Sequence, residues 1–280
     1  MEDRKTVNDS ILIIGHPASG KTTFIAQFLT RIKKRKSDVK LTQIPKDISA
    51  ITDAVKRLSM GEEPLTTSAS ENVELTLPIE VDGKRIDLVC PDYGGEQVND
   101  ITELMELNKS WMSLLNDSDR WMFFIRPHEI MHEYDLSKNS YEEMDISQGT
   151  DLVNAGLSAQ SKFIELLQTL LYAKNKGIKH SIKTPTLLIV QTCWDEMRTE
   201  RKPLEVLQNK LPMLLHFVET VWDKDFFDVL GLSAQEFPLD TDEAKTKYQD
   251  ELPENFGYIV DQDGKRDKDI TKLVKVFLPS

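Results

Sequence analysis

The sequence predicts an α/β fold, a mostly parallel six-stranded sheet with one antiparallel edge strand and helices on both faces. Three observations carry that expectation. Short, continuous apolar runs alternate along the chain with stretches of helical spacing, the pattern of parallel strands buried on both faces. One segment instead alternates apolar and polar residues strictly and ends in an Asp-Gly turn signal, which marks an antiparallel strand. A glycine-rich turn separates the first apolar run from the first helical stretch.

The elements follow in order. Ile11-Leu12-Ile13-Ile14 reads as a strand covered on both sides, and Lys21 to Lys36 carries Phe24, Ile25, Phe28, Leu29 and Ile32 at helical spacing. Asp47 to Met60 reads as a helix closed by Gly61. Val73 to Val81 is the alternating strand, and Pro78 inside it indicates a sheet edge because proline cannot donate to a ladder. Asp82-Gly83 turns the chain into a returning strand, Arg85 to Cys90. Trp121–Ile125, Pro185–Val190 and Phe227–Leu232 supply three more strands, the last of them expected to close the sheet. Between them lie a helix with Phe163, Leu166, Leu167, Leu170 and Leu171 on one face, and a helical stretch from Pro203 to Trp222 that Pro212 divides. Ile270, Leu273, Val274 and Phe277 mark a last helix. The organisation expected is a single domain over 1–280, with insertions near 37–70 and an acidic, aperiodic stretch over 131–157.

Composition limits the possibilities. With 39% hydrophobic and 29% charged residues the chain can bury a real core. A net charge of -12 argues against broad binding to nucleic acid or an anionic membrane, both of which need a basic surface. Only Cys90 and Cys193 are present, so no disulfide framework is expected and a reducing, cytoplasmic setting is. The apolar run after the polar N-terminus is too short for a signal sequence or a membrane span.

The strongest chemical signal is Gly15-His16-Pro17-Ala18-Ser19-Gly20-Lys21-Thr22, a full match to G-x-x-x-x-G-K-[ST], placed directly after a buried strand and before a helix. In that context the loop residues Gly15, Pro17, Ala18, Ser19 and Gly20, with Thr23 behind them, form a cradle whose backbone N–H groups bond a phosphate at a helix N-terminus. Lys21 reaches the β- and γ-phosphates, and the Thr22 hydroxyl ligates magnesium. The second signal is Asp92-Tyr93-Gly94-Gly95-Glu96, after the apolar end of a strand and about seventy residues beyond the loop. Asp92 there suits a second magnesium contact, and Gly95 can bring its N–H close to a γ-phosphate.

Taken together, this set resembles the Ras-like P-loop GTPases of the translation-factor-related class, whose edge strand pairs antiparallel with the strand preceding D-x-x-G. Members of that class read guanine with N-K-x-D and S-A-K or S-A-L after their fifth and sixth strands. Here Thr192-Cys193-Trp194-Asp195 and Ser233-Ala234-Gln235 stand at the matching strand ends. The G-H-P-x-S-G-K-T loop and the Gly-Tyr-Ile-Val-Asp-Gln-Asp-Gly segment near the C-terminus are similar to bacterial double-GTPase proteins of conflict systems. The resemblance implies binding of GTP or GDP with Mg2+, slow GTP hydrolysis, and a switch role with 41–70 and 93–116 changing shape. It gives Asp195 the N1–H and N2–H of guanine and the Ala234 N–H the O6 atom. The partner it implies is an unidentified effector or regulatory protein, a second GTPase chain among the candidates.

Departures from the class are equally informative. Cys193 stands where the class has a lysine whose stem lies along the guanine ring, and Thr192 where it has asparagine, so base selectivity is expected to be weaker unless Trp194 supplies stacking area. Glu96 occupies the place of the water-orienting glutamine. Pro17 crowds the path of a partner's arginine, and Arg126, at the end of its strand, is the internal candidate. Thr66 or Thr67 is the expected switch threonine; Thr67 is taken as the third magnesium ligand. The alternatives are a nucleotide-binding scaffold with little hydrolysis, suggested by Glu96, and a P-loop ATPase, suggested by the altered base motif. His128-Glu129-Ile130-Met131-His132 matches the zinc-protease pattern H-E-x-x-H but follows Pro127 without a clear helix, which favours a loop over the nucleotide. The basic run Arg31, Lys33, Lys34, Arg35 and Lys36 suits either a helix C-terminus or a docking patch.

Overall fold

A computed structural model describes residues 9–34, 37–43, 45, 49–65, 74–91, 96–130, 158–175, 177 and 181–278. In chain order the elements are β1 (Asp9–Ile14), α1 (Lys21–Lys34), β2 (Val39–Leu41), α2 (Ser49–Ser59), β3 (Leu75–Val81), β4 (Lys84–Cys90), α3 (Glu96–Leu104), α4 (Lys109–Asp117) and β5 (Arg120–Ile125). They continue with α5 (Ala159–Asn175), β6 (Thr186–Gln191), α6 (Pro203–Lys210), α7 (Pro212–Val221), β7 (Phe227–Ser233), α8 (Asp242–Asp250), β8 (Tyr258–Val260), β9 (Arg266–Asp267) and a 3-10 helix, Ile270–Phe277.

One sheet runs through the described residues, in the order β2-β3-β4-β1-β5-β6-β7-β8-β9. It corrects the expectation of six mostly parallel strands. The sheet has nine strands: β4, β1, β5, β6 and β7 are mutually parallel, while β2, β3, β8 and β9 add antiparallel ladders at the two sides. The six expected strands are all present. The three additional ones are two or three residues long, too short for a hydrophobic period to declare itself. Phe227–Leu232 is therefore not the last strand, because β8 pairs with β7 from Gly231↔Val260 to Ser233↔Tyr258.

Pro78 is likewise not on an outer edge. In β3 it faces Asp87 of β4, and on its other side the Thr42 N–H donates to its carbonyl at 2.9 Å. The β2–β3 ladder ends at Leu41↔Ile79, one residue pair before the imide nitrogen that has no hydrogen to return. The proline thus sets the length of the neighbouring strand. Between β3 and β4, Asp82 and Gly83 both take positive φ, 49° and 77°, as the tightest hairpin turn requires.

Each of the five parallel strands feeds two cores. In β1, Ile11 and Ile13 enter a core shared with α1, α2 and the C-terminal 3-10 helix, while Leu12 and Ile14 enter a second core under α4, α5 and α7. β5 alternates likewise, Met122 and Phe124 one way and Trp121, Phe123 and Ile125 the other. That two-sided burial is why these strands read as continuous apolar runs. Pro212 divides α6 from α7 as expected. α3, α4 and α8 were not anticipated; α4 is started by Asn108, whose side chain accepts from the Trp111 N–H at 2.9 Å.

The basic run near the end of α1 splits in character. Arg31 is fully buried, its guanidinium donating to the carbonyls of Lys268 and Phe256 with Asp269 at 3.9 Å, whereas Lys33 and Lys34 are exposed. Together with Gln27, which donates to the Phe256 carbonyl at 2.8 Å and accepts from the Tyr248 hydroxyl at 3.2 Å, it fastens the phosphate-loop helix to the C-terminal segment. Arg35 and Lys36 lie outside the described residues. Among the described residues no helix is long and apolar enough to cross a membrane.

Candidate functional site

The C-terminal ends of β1, β5, β6 and β7 lie side by side, and the loops leaving them enclose a cavity of about 240 Å³. Its walls include Ala18, Ser19, Gly20, Lys21, Thr22 and Thr23 from the β1–α1 loop, and Arg126 from the end of β5. Thr192, Cys193, Asp195 and Glu196 follow β6, and Ala234 and Gln235 follow β7. Open α/β sheets place ligands at this end of their strands.

The phosphate loop is held in shape by its own lysine. The buried Lys21 ammonium donates to the carbonyls of Gly15 at 2.6 Å and His16 at 2.9 Å, with the Ser19 hydroxyl at 3.4 Å. Ala18 and Gly20 both have positive φ, 58° and 84°, a backbone that turns successive N–H groups to one side and forms an anion-binding concavity. A side chain on Gly20 would be strained by that φ, and its Cβ would also lie 3.2 Å from Thr192 Cβ.

Thr192 thus has a definite task. Its hydroxyl lies 2.9 Å from the Ser19 carbonyl and 3.0 Å from the Ile125 carbonyl, and its own N–H donates to Ile125 at 2.8 Å. It ties the phosphate loop to the β5 and β6 ends. His16 extends the loop the other way: its Nδ1 is 2.9 Å from Asn99 Oδ1 on α3, and its ring packs against Phe163. Burial holds the imidazole below its usual pKa, which favours the neutral ring.

After β6 the chain turns sharply. Cys193 is left-handed (φ 51°) and starts a short 3-10 turn over Trp194–Met197. The turn sends Trp194 away from the cavity into a cluster with Val206, Tyr258 and Val260, so the expected stacking surface is not there. Asp195 lines the cavity. Burial raises its carboxyl pKa, a hydrogen bond from the Ser233 hydroxyl opposes the rise, Glu196 adds to it and Arg126 offsets it. Ser233 is itself buried and its Oγ accepts from the Glu236 N–H at 2.9 Å, which leaves its proton for Asp195. Arg126 forms a fork with Glu196, with Nη2 at 2.7 and 3.0 Å from the two carboxylate oxygens and Nε at 3.2 Å.

The structure therefore gathers Ala18–Thr23, Arg126, Thr192, Cys193, Asp195 and Ala234 around one space, with Gly15 and Ser233 behind the walls. Pro17 is not on the lining. Asp92, Gly95, Thr66 and Thr67 lie outside the described residues; Glu96 begins α3, but its side chain lies outside them. Of the H-E-x-x-H pattern, His128 is exposed in the middle of a 3-10 turn, 3.8 Å from Glu196, and Met131 and His132 lie outside the described residues.

Sequence reasoning did not single out Glu63, Pro64 and Leu65, which lie within the 41–70 segment expected to switch and wall the cavity. Glu63 Oε1 accepts from Gln235 Nε2 at 3.3 Å and from the Leu239 N–H at 3.2 Å, which joins this segment to the loop after β7. Partners that far apart in sequence leave no local signal.

A phosphate loop whose helix N-terminus opens into the same cavity as an aspartate after β6 and a Ser-Ala loop after β7 is the arrangement of a P-loop nucleotide-binding protein. A family model described as Double-GTPase 1 matches residues 12–277, and the chain belongs to that family. Similar solved structures include the Saccharomyces cerevisiae Ski7 GTPase-like domain bound to GTP, at 16% identity over 81% of this chain and 43% of that one, with a TM-score of 0.45. The same domain bound to GDP and inorganic phosphate gives 15%, 81%, 43% and 0.44. A bacterial selenocysteine-specific elongation factor, EF-Sec, gives 14%, 87%, 29% and 0.38. The chain thus spans less than half the length of these solved chains. A comparison with curated proteins gives no match.

Proposed function

We propose that the chain binds GTP and GDP in this cavity, hydrolyses GTP slowly with magnesium, and acts as a switch that signals to a partner protein through 41–70 and 93–116. The observation that supports it most is the continuity of one cavity from the Lys21 ammonium and the loop N–H groups to Asp195 and Ala234. Its phosphate end offers positive charge and backbone donors; its base end offers a carboxylate and a backbone N–H.

The base end suits guanine. The Asp195 carboxylate is costly in the empty protein because burial disfavours its charge. Guanine brings two donors, N1–H and N2–H, to that acceptor pair, while adenine brings none there. The Ala234 N–H donates to O6. At the phosphate end Lys21 exchanges its bonds to the Gly15 and His16 carbonyls for phosphate oxygens.

The Thr22 hydroxyl on the cavity wall beside the Lys21 cation fits a magnesium ligand, with Asp92 and Thr67 completing the protein's share. Magnesium would neutralise charge developing on the phosphates. Glu96, at the first position of α3, orients the attacking water and can take its proton. As an ionised carboxylate it lacks the donor that glutamine offers, and Pro17 obstructs an arginine from a partner. Turnover is therefore slow, near the intrinsic Ras-like rate of roughly 3–5 × 10⁻⁴ s⁻¹.

GTP turnover by the purified chain, with magnesium and with the metal chelated, tests the proposal. Magnesium-dependent GDP release at a rate of that order supports it. GDP-competent protein with no turnover at all would favour the scaffold reading, and faster turnover of ATP than of GTP would favour an ATPase.

A further inference from the structure

We propose that Arg126 binds the base at the base end of the cavity, where its guanidinium, held in plane by Glu196, stacks on the face of the bound guanine. It then does the work of the lysine that Cys193 replaces. The inference rests on the guanine-nucleotide reading above and deepens it.

Position is the first argument. Arg126 directly follows Ile125, whose carbonyl accepts from both the N–H and the hydroxyl of Thr192, so its backbone stands beside the entry to the Cys193–Asp195 turn. Its side chain is fastened to Glu196, the residue after Asp195, by three contacts of 2.7 to 3.2 Å. Both members of the pair, with Cys193 and Asp195, wall the same cavity.

Charge is the second. A guanidinium whose N–H edge is held two-pronged by a carboxylate has those donors already committed, which makes it a poor device for reaching charge developing on a phosphoryl group. The pair keeps what stacking needs. Its N–H edge is engaged by the carboxylate in the plane of the group, while stacking on an aromatic ring uses the perpendicular faces. Arg126 and Glu196 are 27% and 20% exposed, a partly desolvated setting in which such a contact strengthens.

Elimination is the third. Cys193 is too short to lie along a purine, and Trp194 packs into the cluster with Val206, Tyr258 and Val260. Of the side chains on the β5 and β6 ends that wall the cavity, Arg126 is the one with a flat surface large enough to cover a base.

The test measures GDP affinity by calorimetry for the full chain, Arg126→Ala, Glu196→Gln, and Arg126→Ala combined with Cys193→Lys. Loss of a partly desolvated cation–π contact corresponds to roughly tenfold weaker binding. Arg126→Ala should show that loss and Glu196→Gln a smaller one. The added Cys193→Lys should recover most of it, because a lysine at 193 restores a stem along the ring; repairing a merely structural defect is beyond it. GDP affinity unchanged in Arg126→Ala overturns the proposal, as does a loss that Cys193→Lys leaves untouched. A defect confined to single-turnover GTP hydrolysis overturns it too and assigns Arg126 to the phosphates. Wild-type protein that binds no GDP would instead bring down the guanine reading beneath it.

Discussion

Replacing Thr192 with valine keeps the outline of the side chain and deletes one hydroxyl. That hydroxyl is 2.9 Å from the Ser19 carbonyl and 3.0 Å from the Ile125 carbonyl, in a residue only 2% exposed. Ile125 retains the Thr192 N–H at 2.8 Å, so the substitution strands chiefly the Ser19 carbonyl. A buried polar group left without its partner costs about 1–3 kcal/mol. With a urea slope of roughly 3 kcal/mol/M, the top of the usual range, the midpoint should fall by roughly 0.3–1 M. Ser19 and Gly20 also shape the phosphate cradle, so GDP affinity should fall with stability. Thr192→Ser, which keeps the hydroxyl and loses a methyl, separates the two contributions and should retain GDP affinity better than valine does. Urea unfolding of the three proteins, followed by calorimetry with GDP, makes the comparison. Valine and wild type with equal midpoints, or serine as impaired in binding as valine, would refute the idea that this hydroxyl pins the loop.

Other outcomes follow from the same geometry. Lys21→Ala removes a charge-assisted phosphate contact worth roughly 1.5–3 kcal/mol, so triphosphate affinity by calorimetry should fall at least about tenfold; unchanged affinity would detach Lys21 from the site. Glu96→Ala should slow single-turnover GTP hydrolysis by at least about tenfold, the usual contribution of a positioned base, and an unaltered rate would place water orientation elsewhere. Asp195→Asn should stabilise the nucleotide-free protein at neutral pH. Burial raises the folded carboxyl pKa above its unfolded value near about 3.9, so wild-type stability falls as pH rises through that window and the penalty is complete above it. Thermal unfolding should show the variant's advantage at pH 7 shrinking as pH drops into the window; a variant less stable than wild type at pH 7 would contradict the assignment of burial as the dominant cause.

Much of this was legible from the residues alone, for identifiable reasons. The strands that turn out to be buried on both faces announce themselves as apolar runs, since β1 and β5 send alternate side chains into different cores. The loop from Gly15 to Thr22 carries its chemistry in consecutive residues, so spacing suffices to find it. What escaped depends on short segments or distant partners. β2, β8 and β9 have two or three residues each, and β2 changes the meaning of Pro78 from an edge marker to a ladder terminator. Arg31 reads as part of a solvated basic run because its carbonyl partners come from Phe256 and Lys268. The direction of Trp194 depends on a left-handed Cys193, a conformation that residue type does not signal. Glu63 enters the site only because the loop after β7 bends back to meet it.

If the cavity reads guanine through Asp195, nucleotide preference depends on that one carboxylate. Calorimetry with GDP, ADP and XDP should be run on wild type and on Asp195→Asn. Wild type should prefer GDP, and the variant should lose about tenfold or more for GDP, the value of a hydrogen-bonded charge. Its preference should pass to XDP, whose 2-oxo group accepts from the new amide, while ADP stays weak for both proteins. A wild type that prefers ADP, or an Asp195→Asn variant that binds GDP as tightly as wild type, would contradict that reading.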